Sequence, residues 1–341
     1  MYLLSVASAF PDTSLSQSEC WELLRGLEAV RELKPRSRVL MEKILTGDSG
    51  IGTRQFAAED PLALSQLDAE GLHRAFERHA PALAARAVLA ACEKAGVFPR
   101  ELDALMVCTC TGYLCPGVSS YVAERLGIGS GTYLHDMLGM GCGAAVPMLQ
   151  AARGILAVSP GALVATVAVE ICSAAFYVDD EPGVLISVCL FGDGAAAALW
   201  RGEDAGGCFG MRGFRTVHLP EHREKIRFVN AGGKLKNQLD RTVPALAAAA
   251  VGGLFDSRAG DPDVILCHTG GRDVIDAVER RIGCGPLAET RRVLREHGNI
   301  SSPSVLVALE NHLESGVDSS HLWLAAFGAG FAAHSCELVR G

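Results

Sequence analysis

The sequence predicts an α/β protein made of two similar halves within a single 341-residue chain. Three observations carry the prediction. Val107-Cys108-Thr109-Cys110-Thr111-Gly112 closes an apolar strand and leads into a helix containing Val122-Ala123-Glu124-Arg125-Leu126-Gly127. Val264-Ile265-Leu266-Cys267-His268-Thr269-Gly270-Gly271 repeats that arrangement ahead of Val278-Glu279-Arg280-Arg281-Ile282-Gly283. Later in each unit, Leu190-Phe191-Gly192-Asp193-Gly194-Ala195-Ala196-Ala197 and Ala326-Phe327-Gly328-Ala329-Gly330-Phe331-Ala332-Ala333 each open an apolar strand, ending at Trp200 and near Val339. Two matched landmarks in the same order are the mark of duplication. Strands such as 162–169 are apolar on both faces, as a sheet covered by helices on each side requires.

Taken in order, the opening Met1-Tyr2-Leu3-Leu4-Ser5-Val6-Ala7-Ser8-Ala9 reads as a strand. It lacks the basic leader and the length of an export signal. Residues 68–96 have the composition of a long helix. Gly, Asp and Glu interrupt the apolar pattern at 202–207, so the halves are expected at 1–202, carrying Cys142, and 203–341, carrying His268 and Asn299. Residues 221–240 are polar and contain glycine, which predicts a loop or excursion near a site. A formal net charge of −8 without a Lys/Arg block argues against nucleic-acid binding. The 12 cysteines lie mostly inside apolar runs, which fits a reducing cytoplasm better than a disulfide framework. No apolar run approaches the roughly 20 residues of a membrane-spanning helix. A soluble, cytoplasmic protein is expected.

The chemistry centres on Cys142, in Gly139-Met140-Gly141-Cys142-Gly143-Ala144. A thiol between glycines at a helix start is expected to be exposed, and the helix N-terminus favours its thiolate. Small neighbours admit an acyl group. Nucleophilic catalysis also needs a partner for the thiolate and donors for an oxyanion. His268 follows a strand and precedes two glycines. Asn299 lies in the turn Gly298-Asn299-Ile300-Ser301-Ser302, before the apolar helix at Val305-Leu306-Val307-Ala308-Leu309. In a doubled α/β fold such strand ends and helix starts converge on one crevice.

One rival reading uses the same segment. Gly139-x-Gly141-x-x-Ala144, with Glu170 ending the next strand, fits a dinucleotide fingerprint and would imply an NAD-dependent oxidoreductase. That reading leaves His268 and Asn299 without a role. Gly232-Gly233-Lys234 is a fragment of a phosphate loop without its remaining spacing, and Cys108, Cys110 and Cys115 lack the paired spacing of a zinc site. No metal is expected.

With these residues in place, the chain resembles the chalcone/stilbene synthase family, the type III polyketide synthases, over essentially its whole length. The resemblance rests on Gly141-Cys142-Gly143-Ala144, Phe191-Gly192-Asp193-Gly194-Ala195-Ala196, Cys267-His268-Thr269-Gly270-Gly271, Gly298-Asn299-Ile300-Ser301-Ser302 and Phe327-Gly328-Ala329-Gly330. It implies the duplicated, five-layered αβαβα thiolase-type fold and a homodimer. It implies that Cys142 accepts a starter acyl group from coenzyme A. His268 and Asn299 would support malonyl-CoA decarboxylation, and Phe191 would gate the cavity. Coenzyme A thioesters are then substrates, and no cofactor is needed. Arg36 and Lys43 best match the basic cluster that meets coenzyme A. Cys110, Ala175 and Asn237 stand where plant members carry a pocket Thr, another pocket Thr and a second gate Phe; Ser301 joins them among the substrate-binding residues. Cys115 replaces a Met that reaches across the dimer, and Ala329 replaces a loop Pro. These departures point to a bacterial-type enzyme with aliphatic or malonyl starters. The alternative within the fold is a single-round, ketosynthase III-like enzyme fed by an acyl carrier protein.

Overall fold

A computed structural model of the chain describes residues 1–58, 67–204 and 206–341. The N-terminal part comprises β1 (Tyr2–Ala9), β2 (Thr13–Ser16), α1 (Gln17–Leu24), α2 (Glu28–Arg31), α3 (Pro35–Thr46) and β3 (Thr53–Phe56). Ser16 and Glu19 close α1 with a reciprocal capping box, and Pro35 starts α3 where its missing N–H is no loss. The long helix α4 (Ala69–Ala95) runs from the Asp68 cap to Gly96, whose φ of 68° ends it in the left-handed conformation. Then come β4 (Ala104–Thr109), α5 (Val118–Leu126), β5 (Tyr133–Leu138), α6 (Ala145–Val158), β6 (Val164–Glu170), α7 (Pro182–Leu190) and β7 (Gly194–Arg201).

The remainder is β8 (Phe209–His218), β9 (Ile226–Ala231), β10 (Lys234–Leu239), α8 (Val243–Asp256), β11 (Val264–Cys267), α9 (Arg272–Ile282), α10 (Ala288–His297), α11 (Ser304–Glu314), β12 (His321–Gly328) and β13 (Ala332–Arg340). Both helices that follow the repeated strand-turn units, α5 and α9, end at a left-handed glycine, Gly127 and Gly283.

The main sheet runs β11-β12-β13-β8-β1-β7-β6-β4-β5. Its two ends repeat one pattern. β4 is parallel to β6, which is antiparallel to β7, which is antiparallel to β1. β11, β12, β13 and β8 follow the same sequence of directions. The two series meet at the register pair Tyr2↔Gly210.

Strand alternation then sorts side chains into layers. On β4, Leu105 and Val107 pack with α4 and α5, while Met106 and Cys108 face a central layer. On β12, Trp323, Ala325 and Phe327 pack with α8 and α9, while Leu322, Leu324 and Ala326 face the same central layer from the other side. That layer is made by α6 and α11. The result is the five-layered α/β/α/β/α architecture of the thiolase type, with two helices at its heart. The polar segment at 221–240, expected as a loop, is a β9–β10 hairpin turning at Gly232 and Gly233, both with positive φ (58° and 78°). The phosphate-loop fragment is this turn. Among the described residues no helix is long and apolar enough to cross a membrane.

Candidate active site

Cys142 sits in a single 3-10 turn, Gly141–Gly143, between β5 and α6. Its glycines serve backbone approach rather than phosphate. A Cβ on Gly141 would lie 2.8 Å from the Ala329 backbone nitrogen, and one on Gly328 would lie 2.7 and 2.8 Å from the nitrogens of Gly143 and Cys142. The nucleophile turn and the Phe327–Gly330 turn therefore press together, backbone to backbone. The thiol is buried, with Cys142 only 8% exposed, where the sequence had suggested an open position.

Burial alone would raise a thiol's pKa. Cys142 is instead held well below the ordinary thiol range, first by a hydrogen bond from Cys110, then by His268 and Ser301, against the opposing effect of burial. The Ser301 Oγ lies 3.1 Å from Cys142 Sγ, and 3.3 Å from Cys110 Sγ. Cys110 moves the other way, well above the ordinary range, because its proton is held by Cys142. The pair is one thiolate and one thiol.

His268 follows β11, with its backbone N–H donating to Ala325 O at 2.9 Å. Its Nδ1 is 2.7 Å from Ser304 Oγ, and the Ser304 hydroxyl donates to the Ser301 carbonyl. With that hydroxyl proton committed, Nδ1 carries the hydrogen and donates to Ser304, leaving Nε2 as the other working end. Phe327 meets the ring edge-on, at 5.0 Å between centroids.

Asn299 is 4% exposed and forms an Asx turn: its Oδ1 accepts the Ser301 N–H at 2.9 Å. That leaves Nδ2, a pure donor, as the end available to a substrate oxygen. Ser301 itself has a φ of 57°, a conformation uncommon for a residue with a side chain.

Glu170, the acidic residue of the dinucleotide reading, is fully buried and turned to another use. Its Oε2 accepts from the backbone nitrogens of Cys110 (2.9 Å) and Thr111 (3.1 Å) and from the hydroxyls of Thr109 and Thr111. Its Oε1 accepts from Ser302 (2.6 Å), and the Ser301 hydroxyl, whose proton goes to Cys142, lies 3.3 Å from it. Burial raises its pKa, and these donors pull it back. One carboxylate thus joins the turn after β4 to the turn before α11, leaving it no ribose to bind. Neither Glu170 nor Ser304 was singled out for this role in the sequence; only the repeated hydroxyls at 301, 302 and 304 hinted at it.

The other sequence candidates fall into three places. Cys110 and Ser301 lie at the thiol. Phe191, Ala175 and Asn237 line one cleft of about 340 Å³ together with Thr111, Phe176 and Phe228. Asn237, on the hairpin, is buried and donates from Nδ2 to Ser187 Oγ at 2.7 Å, so it brings a satisfied amide to this wall. Arg36 and Lys43 lie exposed on α3, whose opposite side buries Ser37, Met41 and Leu45.

Residues 1–206 match the family model described as FAE1/Type III polyketide synthase-like protein, and residues 256–339 match the model for the 3-oxoacyl-[acyl-carrier-protein] synthase III C terminal. The chain is 30% identical over 336 residues to 3,5-dihydroxyphenylacetyl-CoA synthase of Streptomyces toyocaensis, covering 92% of this chain and 83% of that protein. It is 24% identical over 338 residues to phloroglucinol synthase of Pseudomonas fluorescens, covering 95% of each. The crystal structure of 1,3,6,8-tetrahydroxynaphthalene synthase from Streptomyces coelicolor superposes with a TM-score of 0.89 at 25% identity, covering 100% of this chain and 99% of that one.

Proposed function

Because the chain belongs to the type III polyketide synthase family, we propose that Cys142, His268 and Asn299 carry its acyltransferase chemistry, condensing malonyl-CoA onto a Cys142-bound acyl group. The observation that carries the assignment is the buried Cys142, with the Ser301 hydroxyl 3.1 Å from its sulfur and Cys110 beside it, a setting that favours its thiolate.

The Cys142 thiolate attacks the thioester carbonyl of a starter acyl-CoA and expels the coenzyme A thiolate. Malonyl-CoA then loses carbon dioxide, and its electron pair moves onto the thioester oxygen. The proton given up by the Cys142 thiol sits on His268 Nε2, and this Nε2–H and Asn299 Nδ2–H stabilise that enolate oxygen, the place where charge develops. The enolate carbon attacks the Cys142 thioester, a carbon–carbon bond forms, and the Cys142 thiolate is released for the next round. Cyclisation in the cleft behind Phe191, Ala175 and Asn237 gives a resorcinol, phloroglucinol or pyrone. Its apolar walls suit a folded aliphatic or malonyl-derived chain.

The finer proposals follow from the same membership. Coenzyme A thioesters are the substrates without a further cofactor, with Arg36 and Lys43 meeting the coenzyme A phosphates. The halves divide at 1–202 and 203–341. The chain acts as a homodimer in the cytoplasm. The edge strand β5 supports dimerisation, since Tyr133, Leu134 and Leu138 are exposed on it.

The test is incubation with malonyl-CoA and a panel of acyl-CoAs, with products identified by mass spectrometry. Cyclised, multiply extended products support the proposal. One-step β-keto products would move the chain to the single-round, carrier-protein reading. Activity surviving in Cys142→Ala would overturn both.

A further inference from the structure

Arg54, on β3, is 1% exposed, and among the described residues no carboxylate lies within ion-pair distance of it. Its guanidinium is spent on backbone instead. Nη1 donates to the carbonyls of Val188 (2.7 Å) and Phe191 (2.8 Å), and Nε donates to Gln17 Oε1 (2.8 Å). The cation also stands 5.1 Å from the Phe56 ring centroid.

Those acceptors lie at the end of α7, where the last carbonyls of a helix lack partners and carry the negative end of its dipole. Each one is accounted for. Ser187 O takes the Phe191 N–H, and Val188 O takes Arg54. Cys189 O takes Gln17 Nε2 at 2.9 Å, and Leu190 O takes the Asn299 N–H at 2.9 Å. The helix is therefore capped by Arg54, Gln17 and Asn299 together.

The stem of Arg54 helps explain one glycine and packs beside another. A Cβ on Gly298 would lie 2.9 Å from Arg54 Cγ and 2.7 Å from Leu190 O, at a φ of 69°. A Cβ on Gly192 would lie 3.5 Å from Arg54 Cβ and 2.5 Å from His297 O. Gly192 follows Phe191, and Gly298 precedes Asn299. The two segments form a parallel bridge, Phe191↔Asn299, in which Gly192 N–H donates to Asn299 O at 3.1 Å. Arg54 thus touches both sides of the backbone bridge that joins Phe191 of the cavity wall to Asn299.

We propose that Arg54 is a positioning residue for the decarboxylation step, holding the Phe191–Gly192 and Gly298–Asn299 segments in register so that Asn299 Nδ2 meets the enolate oxygen. The proposal rests on the role assigned above to Asn299. Cys142 draws its support mainly from other segments, through Cys110 and His268; Ser301, two residues beyond Asn299, is the one contact it shares with the segment that Arg54 holds. Loss of Arg54 therefore separates two half-reactions: the thiolate stays reactive while decarboxylation fails. Lys in its place keeps the charge but has no fork to span Val188 O, Phe191 O and Gln17 Oε1.

The experiment uses Arg54→Lys, Arg54→Met and Gln17→Met, with Asn299→Ala as reference. Iodoacetamide labelling of Cys142 counts intact sites and gives the alkylation rate; carbon dioxide release from malonyl-CoA is measured per labelled site. Decarboxylation per site is expected to fall about ten- to a hundredfold in Arg54→Met, the scale of a misplaced catalytic group, with Arg54→Lys between it and wild type. Alkylation is expected to stay within about threefold. A parallel fall in both rates per site, or undiminished decarboxylation, would overturn the proposal. If Arg54→Met does not fold, Gln17→Met decides, since it leaves the guanidinium in place but removes the acceptor that aligns Nε. A wild-type enzyme that releases no carbon dioxide would count against the polyketide reading itself.

Discussion

Replacing Glu170 with Ala and with Gln separates what its charge does from what its shape does. Ala removes the acceptor of two buried backbone N–H groups, those of Cys110 and Thr111. Orphaning a buried donor costs about 1–3 kcal/mol, so the pair predicts a loss of about 2–6 kcal/mol of stability. Gln behaves differently. The two N–H groups can only donate, so the amide oxygen must take the Oε2 position and the NH2 must face Ser301 and Ser302. Both hydroxyls can turn to accept it. The expected loss for Gln is then below about 2 kcal/mol, the difference between charge-assisted and neutral hydrogen bonds. Urea unfolding followed by tryptophan fluorescence measures it, because Trp200 and Trp323 are fully buried. Equal losses for Ala and Gln, or an Ala variant within about 1 kcal/mol of wild type, would refute the account of Glu170 as a junction of two turns.

Cys110→Ala removes the leading stabiliser of the Cys142 thiolate, so the midpoint of the pH profile of Cys142 alkylation should move up by about one pH unit, the worth of roughly 1.5 kcal/mol for one hydrogen bond to a charged group; an unchanged profile measured by iodoacetamide kinetics would contradict it. Asn237→Phe replaces a satisfied amide in the cleft wall with a larger apolar group, so the product distribution should shift toward fewer extensions, read by mass spectrometry, while Cys142 alkylation is unaltered. His297 and His334 both have pKa values lowered to about 4, chiefly by burial. Between pH 4 and the ordinary histidine value near 6.5 the unfolded chain binds more protons than the folded one, so stability is lost as pH falls through that window. Urea midpoints at pH 7.5 and pH 5 should differ by on the order of 1–2 kcal/mol per histidine, and His334→Gln should reduce the difference; a pH-independent midpoint would exclude it.

The elements legible in the sequence were those with local causes. Asp68 and Gly96 punctuate α4, glycines mark the ends of α5 and α9, and the double-sided apolar strands announce a covered sheet. Cys142, His268 and Asn299 were visible because a glycine turn or strand end set each of them apart. What escaped notice depends on contacts between distant segments. Glu170 looks like any acidic residue after a strand until two distant turns, at 109–111 and 301–302, deliver donors to it. Arg54 reads as a surface cation until α7 and the Gly298 turn close around it. The hairpin at Ile226–Leu239 covers the cleft with Phe228, Leu235 and Asn237, but polar residues fill most of its other positions, so the sequence alone reads there only as a loop or excursion near a site. Burial of Cys142 was likewise hidden, since it comes from the Phe327–Gly330 turn nearly two hundred residues away.

The place of β1 in the sheet bears on how the chain is made. It is synthesised well before its partners: those in β7 run from Ala195 to Arg201, and its other neighbour, β8, follows still later. At about 5–20 residues per second of synthesis, an apolar strand with both edges unpaired waits roughly 10–40 s for its neighbours. The N-terminal half therefore cannot complete its sheet during translation until β7, at its far end, has been made. A nascent chain stalled before residue 194 should bind a holdase chaperone through its first ten residues, whereas one stalled well beyond residue 218 should be free of it.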